Sequence, residues 1–420
     1  MIINKAYKFR IYPNDEQTTL LAQHFGSCRF VYNTFLRKRI DFYTANKGAE
    51  KQILTYSDTT KLLTDMKKIP EYEWMKGVNS QSLQQSLRCL DVAYHNFFNK
   101  RTQFPAFKSK HGKQSFIVPQ WFGINIEQGL LNIPKFTPIK TVFHRTIEGE
   151  MKSVNVSKTS SGKYFASILC EIKKDVQQKQ IGGEIGIDLG LKSFLVTSDS
   201  ETISAPKFLR TSQEKLIRLQ RLLSRKIKGS SNRNKARTKV ARIHEKITNQ
   251  RKDFLHKLSF RLVGENQAIY AEDLNVKGMM ANHHLAKSVA DAGWSEFIRQ
   301  IKYKSEWNGV CFGQIDRFFP SSKRCNGCGW INKSLALSDR EWICHDCGKI
   351  IDRDLNAAQN ILQFGKLSMV RRDTSEPPKR PGRPRAVRQV TEPENYGVKS
   401  SNRKVTGYTQ AHYLICGKGA

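Results

Sequence analysis

The sequence predicts a multidomain α+β protein: an antiparallel barrel interrupted by a helical insert, then a second strand-and-helix domain that carries a zinc ribbon. Three observations predict it. Two-residue alternation of apolar and polar side chains at 6–13 and 164–172 brackets a long stretch of helical period. Near the C-terminal end, Cys325-Asn326-Gly327-Cys328 and Cys344-His345-Asp346-Cys347 are separated by fifteen residues. The chain of 420 residues carries 71 Lys and Arg against 37 Asp and Glu, a formal charge of +34.

The first strand is Ala6-Tyr7-Lys8-Phe9-Arg10-Ile11-Tyr12-Pro13, half-buried by its alternation. From 15 to 100 the period becomes helical: Leu20, Leu21, Phe25, then Phe30, Val31, Phe35, and later Leu83, Leu87, Leu90, Tyr94, Phe98 recur at three- and four-residue steps. From 104 to 174 short apolar runs alternate with Pro, Gly and Asn, as antiparallel strands that complete the barrel with the first. After a polar linker at 173–180, Ile185-Gly186-Ile187-Asp188-Leu189-Gly190 and Phe194-Leu195-Val196-Thr197 form a hairpin that opens a new domain.

Residues 210–261 read as two helices joined near Gly229, with seventeen basic residues against three acidic. Leu216, Leu219, Leu222, Leu223, Val240, Ile243 and Ile247 give them a packing seam, and bases such as Arg225, Lys226, Arg237 and Arg242 form outward cationic faces. Solvated helices usually mix both signs; this pair does not. A short strand at 268–274, an amphipathic helix at 294–307 and a strand at 310–319 lead into the cysteines. After Gly365, Pro, Arg and Ser replace the periodicity, which predicts a basic disordered tail. No apolar run approaches the roughly 20 residues that span a bilayer.

Two C-x-x-C knuckles at this spacing hold one tetrahedral zinc through four thiolates, a structural site with no open coordination position. Gly329 and Gly348 follow the knuckles and let the backbone turn there. His345 reads as an exposed residue between two ligands. Cys28, Cys89, Cys170, Cys311 and Cys416 are scattered, as reduced thiols of a cytosol are. The excess positive charge repels itself in the compact state and calls for a polyanion, namely nucleic acid.

Asp188, Glu272 and Asp354 occupy similar settings: each ends or follows a short apolar strand, or opens a helix. Carboxylates so placed can converge at one sheet edge and hold two divalent metals about 4 Å apart, the arrangement that hydrolyses phosphodiesters without a protein nucleophile. Each alone is equally a helix-capping residue. Asp273 should face away from Glu272, and Asp352 is a helper or a surface acid.

Several motifs, taken in order, resemble TnpB, the transposon-encoded RNA-guided nucleases related to type V CRISPR effectors. They are Gly186-Ile187-Asp188-Leu189-Gly190, Ala271-Glu272-Asp273-Leu274, Phe319-Pro320-Ser321-Ser322-Lys323 before the cysteines, and Asp352-Arg353-Asp354-Leu355-Asn356-Ala357-Ala358-Gln359-Asn360-Ile361. Lys8-Phe9-Arg10-Ile11-Tyr12-Pro13, Cys28-Arg29-Phe30-Val31-Tyr32-Asn33 and Trp294-Ser295-Glu296-Phe297 share the likeness, which covers about residues 1–365.

The resemblance implies an RNase H-like (RuvC) α/β nuclease domain at 181–319 and 351–365 with an inserted zinc ribbon at 320–350. It also implies a β-barrel wedge domain at 1–14 and 104–180 carrying a helical recognition lobe at 15–103; the tail at 366–420 has no family pattern. Asp188, Glu272 and Asp354 become catalytic ligands of two Mg or Mn ions, and Cys325, Cys328, Cys344 and Cys347 ligands of structural Zn. The implied partners are a guide RNA from the transposon end, held one protein chain per guide, and a double-stranded DNA target; no membrane is involved. Tyr56, Thr60 and Gln84 face a short motif beside the target, and the protein belongs in the cytoplasm, on the nucleoid of a prokaryote. The function implied is RNA-guided DNA cleavage by a single RuvC site. The alternatives are a catalytically silent RNA-guided repressor, which would be free to lose the acids, and a guide-free zinc-ribbon transposase, which leaves the helical lobe unexplained. Lys379-Arg380-Pro381-Gly382-Arg383-Pro384-Arg385 loosely resembles an AT-hook, although a solvated basic tail accounts for it equally.

Overall fold

The computed structural model describes residues 1–49, 53–336 and 338–374, with side chains to 368. Strand β1 (Ile2–Tyr12) buries Ile3, Tyr7, Phe9 and Ile11 and exposes most residues between them, as the two-residue period requires. Asn14 and Gln17 form a capping box that starts α1 (Asp15–Ala45). Helix α2 (Tyr56–Met66), a 3-10 turn (Pro70–Gly77) and α3 (Ser80–Phe98) follow. The chain then forms β2 (Gln114–Val118), β3 (Gly123–Asn125), β4 (Leu130–Asn132), β5 (Ile139–Val142), β6 (Glu150–Lys158) and β7 (Tyr164–Lys173).

These strands and β1 make one antiparallel sheet in the order β2-β6-β7-β1-β5-β4-β3. The order is open, so the expected barrel is a half-barrel with β2 and β3 as its edges. Helices α1 and α3 pack against β2, and a single core joins Phe25, Val31, Phe35, Leu83 and Leu87 to Phe116, Val154 and Ile168. Side-chain packing from the helical insert covers the apolar face that barrel closure would otherwise bury.

The second sheet contains β8 (Gly183–Leu189), β9 (Ser193–Thr197), β10 (Thr202–Ser204), β11 (Asn266–Glu272) and β12 (Cys311–Ile315), in the order β10-β9-β8-β11-β12. The β8–β9 hairpin is antiparallel, whereas β8, β11 and β12 run parallel. Between β10 and β11 lie α4 (Phe208–Ser224) and α5 (Ser231–Glu265); α6 (Val276–Met280), α7 (His283–Ala292) and α8 (Trp294–Asn308) precede β12. The expected strand at 310–319 is shorter, since residues 316–319 turn toward the first knuckle.

Two helical layers cover this sheet. Ile185, Ile187, Leu189 and Phe194 bury against Leu255 and Leu262 of α5 and Phe297 and Ile301 of α8. On the other face, Ala268, Tyr270 and Ile315 bury against Ile361 of α9 (Arg353–Thr374). Before α9 comes a small hairpin of β13 (Glu341–Ile343) and β14 (Ile350–Asp352). Helix α9 corrects the boundary expected at Gly365. It continues to Thr374, and Lys366 pairs with Glu184 at 2.5 Å. The next proline comes only at 377, and Lys, Leu, Met and Arg before it are good helix formers. The AT-hook-like run, Cys416 and the rest of the expected tail lie outside the described residues.

Candidate functional site

The parallel strands β8 and β11 bring two acids level. Tyr270 stands opposite Gly186 and Ala271 opposite Ile187, so the next step sets Glu272 beside Asp188. Their face follows from alternation: Ile185, Ile187 and Leu189 point into the α5–α8 layer, which leaves Gly186 and Asp188 on the α9 side. Gly186 agrees, because a Cβ there would lie 2.2 Å from the Ala358 carbonyl oxygen and 2.6 Å from the Leu362 nitrogen. On β11, Tyr270 shares the α9 side with Glu272, and a Cβ on Gly365 would meet the Tyr270 ring at 2.4 Å. Two glycines thus let α9 lie close on the sheet. Asp354 is one turn before Ala358, on the helix face turned to β8.

The charges show the convergence. Burial, then Glu272 and then Asp354 push the Asp188 carboxyl up to about 7, against a smaller pull from Arg353. Burial and neighbouring Asp273 push Glu272 up to about 6. Asp354 is held by two arginines, Arg340 at 3.2 Å and Arg353 at 3.2 Å. Sequence reasoning missed both: Arg353 lies between the two acids of its motif, whereas nothing local marks Arg340. Asp352 is a capping residue, accepting the Leu355 amide at 2.8 Å. Asp273 pairs with Arg317 at 2.6 Å.

The four cysteines meet. Cys325 and Cys347 sulfurs are 3.8 Å apart, those of Cys328 and Cys344 3.5 Å, and all four lie within 4.8 Å. Among the described residues this is the only group of three or more potential ligands so close; the three carboxylates are looser. Each knuckle closes in the same way: Gly329 N–H donates to the Cys325 carbonyl and Gly348 N–H to the Cys344 carbonyl, both at 2.9 Å. Both glycines have positive φ, +85° and +69°. Burial opposes ionisation of Cys325, but the Cys328 and Gly327 amides and neighbouring thiols bring it down to about 7. Amide donors that favour the Cys325 thiolate suit one ligand of a tetrahedral zinc. His345 stays outside the cluster, stacked on Trp330 at 5.8 Å.

The two centres are mechanically joined. Asn356 and Asn360 of α9 are buried, and their Nδ2 atoms donate to the Arg324 carbonyl at 2.7 and 2.6 Å. Asn356 Oδ1 accepts the Asn326 amide at 2.9 Å. The first knuckle therefore sits on the same helix that carries Asp354. Their role was missed, although two asparagines at i and i+4 beside buried alanines were a visible sign.

The predicted polyanion residues lie elsewhere. Arg225, Lys226, Arg237 and Arg242 are exposed on the α4–α5 hairpin, whose turn is fixed by Arg233 donating to the Leu223 and Lys226 carbonyls at 3.0 and 2.8 Å. Its seam is thinner than expected: Leu216 and Ile247 are buried, but Leu222 is exposed. Tyr56 and Thr60 lie on α2 and exposed Gln84 on α3. The Arg88 guanidinium sits 5.6 Å from the Tyr56 ring, one turn beyond Gln84.

Fold and site define a strongly basic α+β protein with a four-cysteine cluster tied to a carboxylate cluster at the ends of two central strands. Three family models match the chain: OrfB_IS605 ("Probable transposase") at 167–283, "Cas12f1-like, TNB domain" at 294–361, and an OrfB_IS605 "Helix-turn-helix domain" at 1–48. Over that last range the structure has β1 and the single long helix α1 instead. A Streptomyces pristinaespiralis protein named "Putative RNA-guided DNA endonuclease" is 41% identical, over 86% of this chain and 90% of its own. InsQ of Escherichia coli K12, named likewise, is 34% identical, over 86% and 92%. The protein in the cryo-EM structure of a Cas12f1–sgRNA–target DNA complex shares the fold, with TM-score 0.51 at 14% identity, over 86% of this chain and 98% of that one. The chain belongs to the TnpB family of RNA-guided DNA endonucleases.

Proposed function

We propose that this chain is a guide-RNA-directed, metal-dependent DNA endonuclease encoded by a transposon, with Asp188, Glu272 and Asp354 as its catalytic acids. The observation that carries the reading is the level placement of Asp188 and Glu272 on the face covered by α9, whose first turn bears Asp354. The sheet around them is RNase H-like (RuvC) in strand order, at 181–319 and from 351 into α9, with the zinc ribbon at 320–350. The half-barrel at 1–14 and 104–180 is the wedge domain and 15–103 the recognition lobe.

The residues fit two kinds of metal. The four thiolates suit one structural Zn. The three acids suit two Mg or Mn ions, since burial and neighbouring carboxylates make Asp188 and Glu272 hold their protons unusually tightly, a cost that bound cations would relieve. When bound, such ions supply charge stabilisation to the attacking and leaving oxygens of a phosphodiester. The protein's own contribution is to hold the acids level and to bring Arg340 and Arg353 onto Asp354. The partners are a guide RNA from the transposon end, one chain per guide, and duplex DNA, gripped by charge and shape; the cellular setting is the nucleoid. No described helix is long and apolar enough to cross a membrane.

The test compares wild type with Asp188→Ala, each with guide RNA, matched target and Mg²⁺. The variant should bind guided DNA and cut it roughly a hundred- to a thousandfold more slowly, on the order of what loss of a charge-stabilising group costs. Equal cutting by both proteins overturns the assignment of Asp188; binding without cutting by both makes the chain a repressor.

A further inference from the structure

The two arginines on Asp354 reach it together and are held differently. In the β13–β14 hairpin Glu341 stands opposite Asp352, so the next step outward sets Arg340 opposite Arg353. The Arg353 amide donates to the Arg340 carbonyl there at 2.8 Å. Side chains directly opposite in an antiparallel pair share one face. Both guanidinium groups therefore leave the end of the hairpin toward Asp354, the next residue of α9.

Arg353 is anchored. Its side chain is 14% exposed, its Nη1 donates to the Asp339 carbonyl at 3.0 Å, and its Nε and Nη2 donate to Asp354 Oδ1 at 3.3 and 3.2 Å. Arg340 is not anchored. Its side chain is 42% exposed, and among the described residues Asp354 is its only side-chain partner, with Nη1 3.2 Å from Oδ2 and 3.5 Å from Oδ1. A guanidinium carries its donors in a fork that fits phosphate as well as carboxylate, and Arg340 uses one arm of it. Between them the arginines engage both oxygens of Asp354, the atoms a metal needs.

We propose that Arg340 is a latch on the acid cluster: it holds Asp354 in a guanidinium pair that competes with metal, and a phosphodiester draws it off, so that metal loading and substrate binding reinforce each other. The unequal anchoring of the two arginines carries the inference. A carboxylate oxygen engaged by an N–H is less available to a divalent cation, and the nearby positive charge opposes that cation further. A partly exposed ion pair contributes little net stability, so a phosphate oxygen, which accepts from the same fork, can take the place of the carboxylate. The coupling runs both ways by linkage: whatever substrate adds to metal affinity, metal adds to substrate affinity. Arg353, tied to the Asp339 carbonyl, stays behind as the positioning residue for Asp354. The inference rests on the nuclease reading of the three acids.

The experiment titrates the full chain, its zinc retained, with Mn²⁺ and follows the free ion by electron paramagnetic resonance; site binding is the part that Asp188→Ala removes. Arg340→Gln should tighten that binding roughly threefold, about 0.6 kcal/mol, the scale of a partly exposed ion pair, with zinc content unchanged. In the Asp354→Asn background, where the pair is already lost, Arg340→Gln should leave Mn²⁺ affinity as it was. With guide RNA, matched target and saturating Mn²⁺, the same variant should cut roughly tenfold more slowly, the scale of one charge-assisted hydrogen bond, and Arg340→Lys should return both measurements toward the parent. Equal tightening in both backgrounds overturns the latch, because the arginine would then act by charge alone. Unchanged or weaker Mn²⁺ binding overturns it as well, and cutting at the parent rate overturns the transfer to phosphate. A parent protein with no Mn²⁺ binding that depends on Asp188 overturns the metal reading of the acids itself.

Discussion

Asp188 sets a conflict between stability and catalysis at the residue scale. A carboxyl whose pKa is raised in the folded state prefers its protonated form there, so folding stability declines as pH rises from its ordinary value of 3.8 toward about 7. Below the lower value both folded and unfolded chains carry the proton and the penalty vanishes. In EDTA, Asp188→Asn should therefore melt higher than wild type at pH 8 and nearly with it at pH 4, by calorimetry at both pH values. Mg²⁺ should raise the melting temperature of wild type and leave the variant unmoved. A variant that melts lower than wild type at pH 8 would show that the acid is compensated by contacts other than metal. The acids themselves were legible as residues, because each stood at a strand end or helix start. The raised proton affinity of Asp188 and Glu272 was not, since it depends on burial and on neighbouring carboxylates.

Among the elements, α9 decides the site, and its approach depends on a missing side chain. Gly186→Ala places a methyl within 2.2 Å of the Ala358 carbonyl, and overpacking of this kind costs about 1–3 kcal/mol. Melting temperature should fall, and cleavage with it, as the helix carrying Asp354 is pushed from β8. Gly264→Ala in α5 is the control, with nothing within 4 Å of the added Cβ; it should be neutral or slightly stabilising. Equal effects from the two changes would show that α9 does not rest on Gly186. The zinc knuckle acts through the same helix. Cys344→Ser should release the bound zinc, read by metal analysis, and reduce cleavage through Asn356 and Asn360 while the half-barrel remains folded. Full cleavage after zinc loss would separate the ribbon from the acids. The cysteine spacing announced the knuckle in the sequence, but its attachment to α9 depends on side chains brought together from residues 321–326 and 356–360.

For the whole molecule, charge sets the behaviour. Glutamate at Arg225, Lys226, Arg237 and Arg242 should weaken RNA or heteroduplex binding at least tenfold and flatten its dependence on salt, by about 0.9 in logarithmic slope for each phosphate no longer neutralised. Zinc content should not change. Unaltered affinity across a salt titration would make the hairpin a solvated scaffold. The sequence by itself determined the helical insert, the strand-end acids, the cysteine knuckles and the charge, because periodicity, spacing and composition are local or summed properties. Barrel closure and the end of α9 were misjudged. The barrel stays open because α1 and α3 cover its apolar face, and α9 runs past Gly365 because helix formers follow it and that glycine lets the helix lie against the Tyr270 ring. Tertiary structure alone decided that Asp188 and Glu272 stand level and that Arg340 reaches Asp354. Each of these is a juxtaposition of residues distant in the chain, fixed by strand register and close packing, for which no local pattern exists to be read.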